Sequence, residues 1–343
     1  MAIIRSVKLD DVNVTLKRNG DSVILNVFPR LHMFNLDLSL ISGVMKHGSM
    51  GFSLKDLPIE IQVSKSKGNK DVIRSDIELS RLDYPIYLDD LRRHLDTDIY
   101  FDVIVKNSHK LREHTGIGLS SQVIGGILIA SAAVADHRIT ANDLFLMGLG
   151  HMSTLGINSS VYPSNMIEYG VRVVEKQYGL MINPTLSKKY EAPVRSLFEI
   201  VGFPFAVVVG FPRKLKSISG KEEMDFWETD EAQQAIPYSN QTTYAVVYEV
   251  FEQLMPSIIE DNFRDFILSM QKISELGAKP LEEKLQPDYT KELLSTLRSR
   301  FGFAVASSLG PTVVAFTQDF SEDVTQLNDD EYEFRLFDFR EQS

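Results

Sequence analysis

The nine residues His114-Thr115-Gly116-Ile117-Gly118-Leu119-Ser120-Ser121-Gln122 combine the residue types that bind an anion. Two glycines let backbone amides approach a ligand closely, and two serine hydroxyls add hydrogen-bond donors or a contact to Mg²⁺. The small and aliphatic residues that follow predict a helix from Gln122 to about Asp136, whose start contributes unpaired N–H groups and partial positive charge. This is not a P-loop, because no Lys-Ser/Thr follows the glycines, and a dinucleotide fingerprint would need a third glycine where Ser121 stands. Taken alone, the stretch is equally consistent with an ordinary glycine-rich turn before a helix packed closely through Gly125, Gly126, Ala130 and Ala133.

Other residues extend the chemistry. Arg30 can pair bidentately with a phosphate and His32 can donate to one, while the alternative for both is charge at a strand end. His114 and His151 flank glycine segments; singly, each reads as a loop histidine. Asp37 and Glu222 are candidates to hold Mg²⁺ or steady a cation, against the plain alternative of a solvated carboxylate. Ser307, Ser308 and Thr312 surround a Gly310-Pro311 turn, where the alternative is a simple hairpin. The chain has no cysteine, which excludes thiolate catalysis and disulfides. No Ser-His-Asp signature is evident, and Asp89-Asp90 is followed by Leu91-Arg92-Arg93 where a phosphoribosyltransferase signature needs threonine and glycine.

The elements that must position these residues fall into two halves. Residues 2–65 alternate in short β-rich runs, including Ser22 to Phe28 and Ile59 to Val63. Residues 84–96 have helical spacing, Asp98 to Val105 is a β-branched run, and Thr140 to Gly148 reads as a helix. Glycine and serine dominate residues 148–160, and Asn183-Pro184 marks a boundary between residues 1–182 and 183–343. Beyond it come a buried strand at Phe205 to Gly210, amphipathic helix over 241–274 broken at Pro256, and a helix at Lys291 to Arg300. A strand, tight turn and strand follow over Phe303 to Phe316, and the mixture predicts an α+β fold.

At 343 residues and 43% hydrophobic content the chain can bury a large core. A net charge of -11 opposes general attraction to nucleic acid or an anionic membrane, so a phosphate site must be built locally from a few donors. The early charges Arg5, Lys8, Asp10 and Asp11 do not read as a secretory signal, and the most apolar run, Val123 to Val134, is too short to span a bilayer. A cytoplasmic protein is the expectation.

Residues 113–137 resemble the second motif of the GHMP kinase superfamily, in the form found in the β-ribofuranosylaminobenzene 5′-phosphate synthase family, with His before the glycines and Gln after the serines. The resemblance continues in order through Pro29-Arg30-Leu31-His32, Asp37, Gly48 to Phe52, His151 to Ile157, Tyr162 to Gly170, Ser219 to Glu223, Leu254-Met255-Pro256 and Ser307 to Thr312, covering about residues 25–320. It implies a GHMP-kinase-like two-domain fold: an N-terminal α/β domain with a left-handed βαβ crossover, and a ferredoxin-like C-terminal domain. It also implies a C-glycoside synthase, which joins phosphoribosyl pyrophosphate to an aromatic carboxylic acid with loss of pyrophosphate and carbon dioxide. Under it the donor contacts are Arg30, His32, His114, Gly116, Gly118, Ser120, Ser121, Gln122, Ser307, Ser308, Gly310 and Thr312. Asp37, His151 and Glu222 would be catalytic, Ser120 and Asp37 would hold Mg²⁺, and a homodimer is compatible with the resemblance.

The chain departs from the family pattern at three places. Leu309 stands where a Trp is usual, Leu119-Ser120 replaces Ser-Gly, and Ser153-Thr154-Leu155 alters the middle motif. Leu309 therefore marks an acceptor pocket open to remodelling, for an aminobenzoate, a hydroxybenzoate or an aminopyrazole carboxylate. Two other functions stay open from sequence: an ATP-dependent small-molecule kinase of the same superfamily, and a non-catalytic ligand sensor that keeps the pocket.

Overall fold

The computed structural model describes residues 2–8, 12–37, 45–77, 84–149, 154–168, 171–173, 190–193, 196–214, 225–226, 229–230, 242–276 and 279–341. The expected boundary at Asn183-Pro184, and the candidates His151 and Glu222, lie outside them. Among the described residues there are three sheets. The first holds β1 (Ile3–Lys8), β4 (Arg30–Asp37), β5 (Met45–Ser53), β9 (Met166–Glu168), β10 (Val171–Val173), β11 (Tyr190–Pro193) and β12 (Ser196–Val201). The second holds β2 (Lys17–Asn19), β3 (Ser22–Val27), β6 (Ile59–Lys65), β8 (Phe101–Lys106) and β7 (Val72–Ser75) in that order. The third is β14 (Ala304–Ala306), β15 (Val313–Thr317), β13 (Ala206–Pro212) and β16 (Tyr332–Phe337) in spatial order.

In the second sheet the buried residues alternate along β3, β6 and β8, as expected for strands with one face on a core. The helix α1 (Tyr84–Leu95) connects β7 to β8, which are parallel, whereas the other pairs are antiparallel. The covering element is α2 (Leu119–Val134), buried over almost its whole circumference. Its small residues permit this: a Cβ on Gly126 would lie 2.5 Å from both Ile61 and Val27 side-chain atoms. The helix begins three residues before the expected Gln122, because Gly118 takes a left-handed conformation with φ 61° as its N-cap.

Two short helices follow. In α3 (Ala141–Leu146) the Thr140 hydroxyl accepts from Asp143 N while the Asp143 carboxylate accepts from Thr140 N, a capping box. The serine-rich stretch contains α4 (Thr154–Val161), which composition alone disfavours. Its Ser159 and Ser160 hydroxyls donate back to the Leu155 and Gly156 carbonyls, so these serines solvate the helix that buries them.

The third sheet is antiparallel throughout, and its strands stand in the order second, third, first, fourth along the chain, which is the ferredoxin-like order. The 3₁₀ turn Val324–Leu327 occupies the place of the second helix in that motif. The other helices are α5 (242–259), α6 (Phe263–Glu275), α7 (Lys279–Lys284) and α8 (Asp288–Phe301). Pro256 does not break α5. A π-helical segment at Val250–Leu254 precedes it and accommodates a ring that can supply no N–H; the chain instead turns at Asp261, φ 57°, and Asn262 caps α6. Phe52 of β5 packs edge-on to Phe203 with ring centres 4.9 Å apart, and Phe203 and Phe316 both meet Phe266 of α6, so one aromatic core joins the first and third sheets.

Candidate functional site

Arg30, His32 and Asn35 do not share one parity, yet the sheet puts them on one face. Across the β4/β5 pair Arg30 faces Ser53, His32 faces Gly51, Asn35 faces Ser49 and Asp37 faces His47, all odd-numbered partners. The bulge between His32 and Phe34 inserts one extra residue and so keeps the polar set together, with Leu31 and Phe34 turned to the core. Opposite His32 stands Gly51, where a Cβ would lie 2.6 Å from the Leu155 side chain. Helix α4 therefore rests directly on this face.

Three segments distant in sequence meet at the β4 end. Arg30 N donates to Ile117 O at 2.9 Å, Thr312 N to Thr115 O at 3.0 Å and Ser308 N to His32 O at 3.1 Å. The fully buried Ser307 hydroxyl joins all three, accepting from His32 N at 3.0 Å and donating to Gly116 O at 2.8 Å. Backbone contact is closest at two glycines. A Cβ on Gly116, φ 92°, would fall on Ser307 O, and one on Gly310 would fall on Gly116 N and Cα. Gly118 instead meets a side chain: its Cβ would lie 2.8 Å from Arg30 Nε. The guanidinium is thus laid against the start of α2, where helix amides carry partial positive charge. The guanidinium and the helix start together make this corner of the site locally positive.

Ser120, at that helix start, donates to Glu113 Oε1 at 2.8 Å, and Glu113 is only 7% exposed. A buried carboxylate and a hydroxyl side by side supply hard oxygen donors of the kind Mg²⁺ uses alongside substrate phosphates, so this pair fits the ion. The side chain of Asp37 lies outside the described residues, and among those described no group of three or more His, Asp or Glu forms a metal cluster. The Thr312 hydroxyl is buried without a hydrogen-bond partner among the described residues, beside the Thr115 carbonyl that its own N–H meets. A ligand acceptor would satisfy it.

Other residues brace the cradle from behind. The Gln122 side chain is fully buried and donates from Nε2 to Gly156 O at 2.9 Å, tying α2 to α4. Tyr332 donates to Pro311 O at 2.8 Å, so the hydroxyl of Thr290, also at 2.8 Å, must donate to Tyr332. Burial pushes this phenol above its ordinary value, so it stays a donor at neutral pH. Lys279 and Glu282, each 5% exposed in its side chain, pair at 2.6 Å; Lys279 also donates to Ala306 O, and Asn35 donates to Glu282. Gln286 Nε2 reaches Leu309 O at 3.2 Å. Together they fix the turn at residues 307–312 relative to β4.

The expected donor-binding residues Arg30, His32, Gly116, Gly118, Ser120, Ser307, Gly310 and Thr312 are therefore gathered, with Ser121 against Gly156 of α4. His114, φ 58°, and Ser308, φ 55°, hold left-handed conformations in the two loops that meet. Leu309 is buried, at 8% exposed. Sequence reading missed Glu113, Asn35 and the Lys279–Glu282 pair. The first directly precedes the loop histidine and was legible only as one more charged loop residue; the others carry no local signal.

No family model matches the chain. Among curated proteins it is similar to beta-ribofuranosylphenol 5'-phosphate synthase of Methanocaldococcus jannaschii, 24% identical over 307 residues covering 86% of this chain and 89% of the relative. The protein of the same name from Methanothermobacter thermautotrophicus is 23% identical, covering 87% and 89%. Among solved structures, Streptococcus pneumoniae phosphomevalonate kinase superposes with a TM-score of 0.58 at 14% identity, over 87% of this chain and 92% of that one. Methanococcus jannaschii mevalonate kinase gives 0.57 at 11%, over 93% and 98%. The fold is that of the GHMP-family kinases, and the resemblance drawn from the ordered motifs is borne out by both comparisons.

Proposed function

We propose that this chain is a C-glycoside synthase that joins phosphoribosyl pyrophosphate to an aromatic or heteroaromatic carboxylic acid, releasing pyrophosphate and CO₂. The observation that carries the reading is the junction of residues 30–32, 115–118 and 307–312, which lays Arg30 against a glycine-capped helix start. Relatives named for a ribofuranosylphenol phosphate product match this chain over nearly their full length. Loop amides, Arg30 and the Thr312 hydroxyl would hold the pyrophosphate where the fold's kinases hold nucleotide phosphates. Glu113 and Ser120 would hold Mg²⁺, which neutralises charge on the leaving group when bound.

As the bond from ribose C1 to pyrophosphate oxygen breaks, its electron pair leaves with the oxygen and C1 becomes cation-like. The ring carbon bearing the carboxylate bonds to C1; the ring-to-carboxyl bond then breaks, its pair returns to the ring, and CO₂ departs. No proton leaves the ring, so no strong base is needed. The polar β4 face, with His32 and Asn35 in register, is the surface for the acceptor, and Leu309 in place of a large ring sets its shape.

Two expectations follow from the donor contacts. Arg30→Ala should weaken donor binding by about 1.5–3 kcal/mol, the scale of a shielded charge-assisted hydrogen bond. Glu113→Gln should weaken Mg²⁺ on the order of tenfold, read as a smaller thermal shift on adding Mg²⁺ and pyrophosphate, each measured against the same variant without them. Calorimetry with Mg²⁺ and either phosphoribosyl pyrophosphate or ATP tests the donor itself. Selective binding of the ribosyl donor supports the synthase; tight ATP binding with no response to the ribosyl donor makes the chain a kinase.

A further inference from the structure

A second cleft, of about 450 Å³, opens where residues 108–112 approach the end of β13 and the edge of β16. Lys110, Arg112, Arg213 and Arg335 line it, against one carboxylate, Glu333, which Arg335 engages at 2.7 Å. Four basic side chains around one cavity run counter to a chain whose net charge is -11. Arg112 donates to Arg213 O, and Arg213 Nε donates to Tyr332 O at 3.3 Å, so both guanidinium groups are held in place by neutral carbonyls. Among the described residues Lys110, Arg112 and Arg213 make no ion pair with a carboxylate. Arg213 is near enough to Asp329 to interact with its charge, so the positive charge open to a ligand rests mainly on Lys110 and Arg112.

The floor is different in character. Leu111 and Ile117 are buried there, and Phe211 lies beneath the Arg335 guanidinium, 5.7 Å from ring centre to Cζ. A cationic rim over an apolar and aromatic floor suits an organic molecule with phosphate groups better than a bare inorganic ion, and the volume matches small-ligand pockets. Arg30, His32, Ser120, Ser307 and Thr312 do not line this cleft.

We propose that the cleft is a second anion site, separate from the phosphate cradle, which binds a small organic molecule carrying two or more phosphates, of the nucleoside diphosphate class. It is coupled to the cradle through its own wall. Thr115 and Ile117 line the cleft, and their carbonyls accept the Thr312 and Arg30 amides that hold the cradle together. A ligand in the cleft therefore steadies or shifts the donor loop.

Calorimetric titration of the full chain with ADP, and separately with inorganic pyrophosphate, tests this. ADP should bind the wild type, and Lys110→Gln/Arg213→Gln should weaken it about tenfold or more. Arg30→Ala, in the cradle, should weaken pyrophosphate while leaving the cleft-dependent part of ADP binding, the part lost in the double variant, within about twofold. Because Arg213 also braces Tyr332 O, Lys110→Gln alone is the second variant; its exposed side chain leaves the fold intact, and it should weaken ADP about threefold. ADP affinity unchanged in both cleft variants, lost in Arg30→Ala, or absent in the wild type would overturn the proposal. None of these outcomes depends on the transferase reading, since ADP binding in the cleft is measured without an aromatic acid or ribosyl donor.

Discussion

Gly310→Ala is expected to destabilise the protein by more than about 4 kcal/mol and to abolish donor binding, because its methyl group has nowhere to go. A Cβ at this position lands on the Gly116 backbone and the Thr115 carbonyl carbon, and all of these are main-chain atoms that cannot rotate aside. Gly116 is itself held, since its carbonyl accepts the Ser307 hydroxyl and its φ of 92° suits no other residue well. Relief requires the 307–312 turn to withdraw from the loop, which breaks the Thr312-to-Thr115 bond and the Ser307 link at once. Gly118→Val makes the informative contrast. The atoms nearest its Cβ all belong to the Arg30 side chain rather than to backbone, so the fold should survive at a strain of roughly 1–2 kcal/mol while the guanidinium is displaced from the helix start. Urea denaturation and donor calorimetry on both variants separate the two effects. A Gly310→Ala protein of wild-type stability would mean that the two loops do not touch.

Lys279→Met is the other large effect, expected to cost about 3–5 kcal/mol by leaving the buried Glu282 without its cation. The pair is tighter than a surface ion pair: both side chains are 5% exposed, and they sit 2.6 Å apart with Asn35 donating to the carboxylate. Removing the lysine also removes its bond to Ala306 O, one residue before the turn that carries Ser307 and Gly310. Replacing both partners, as Lys279→Met/Glu282→Leu, should recover most of the loss, since no buried charge is then stranded. A shift in the urea midpoint for the single variant, reversed in the double, is the expected pattern. Equal loss in both would mean that packing of α7, rather than charge, holds the turn.

Much of the fold was legible where a local pattern carries it. The alternating runs over residues 2–65 became β1 to β6, and the strand, turn and strand over 303–316 became β14 and β15 around the Gly-Pro turn. Pattern failed where tertiary packing decides. The glycine- and serine-rich composition over 148–160 assigned no element, and its serines become helix because they back-bond inside a buried turn; Pro256 reads as a stop, and the π segment ahead of it removes the reason to stop. The candidate site divides in the same way. Ordered motifs located Arg30, the glycines and the 307–312 turn, whereas the face shared by Arg30, His32 and Asn35 depends on a bulge that no spacing rule reveals. Lys279 and Glu282 could not be found from sequence, because their meaning lies in burial against Asn35, 247 residues from Glu282 in the chain.

Decarboxylative C-ribosyl transfer makes one demand that neither a kinase, nor a hydrolase, nor an ordinary N- or O-ribosyltransferase shares: pyrophosphate and carbon dioxide must appear together. The direct measurement is incubation of the protein with Mg²⁺, phosphoribosyl pyrophosphate and carboxyl-labelled aromatic acids, benzoate and azole types included, counting both products. Labelled CO₂ equimolar with pyrophosphate, and dependent on the acid, is the expected result. Pyrophosphate released without labelled CO₂ across all the acids would contradict it.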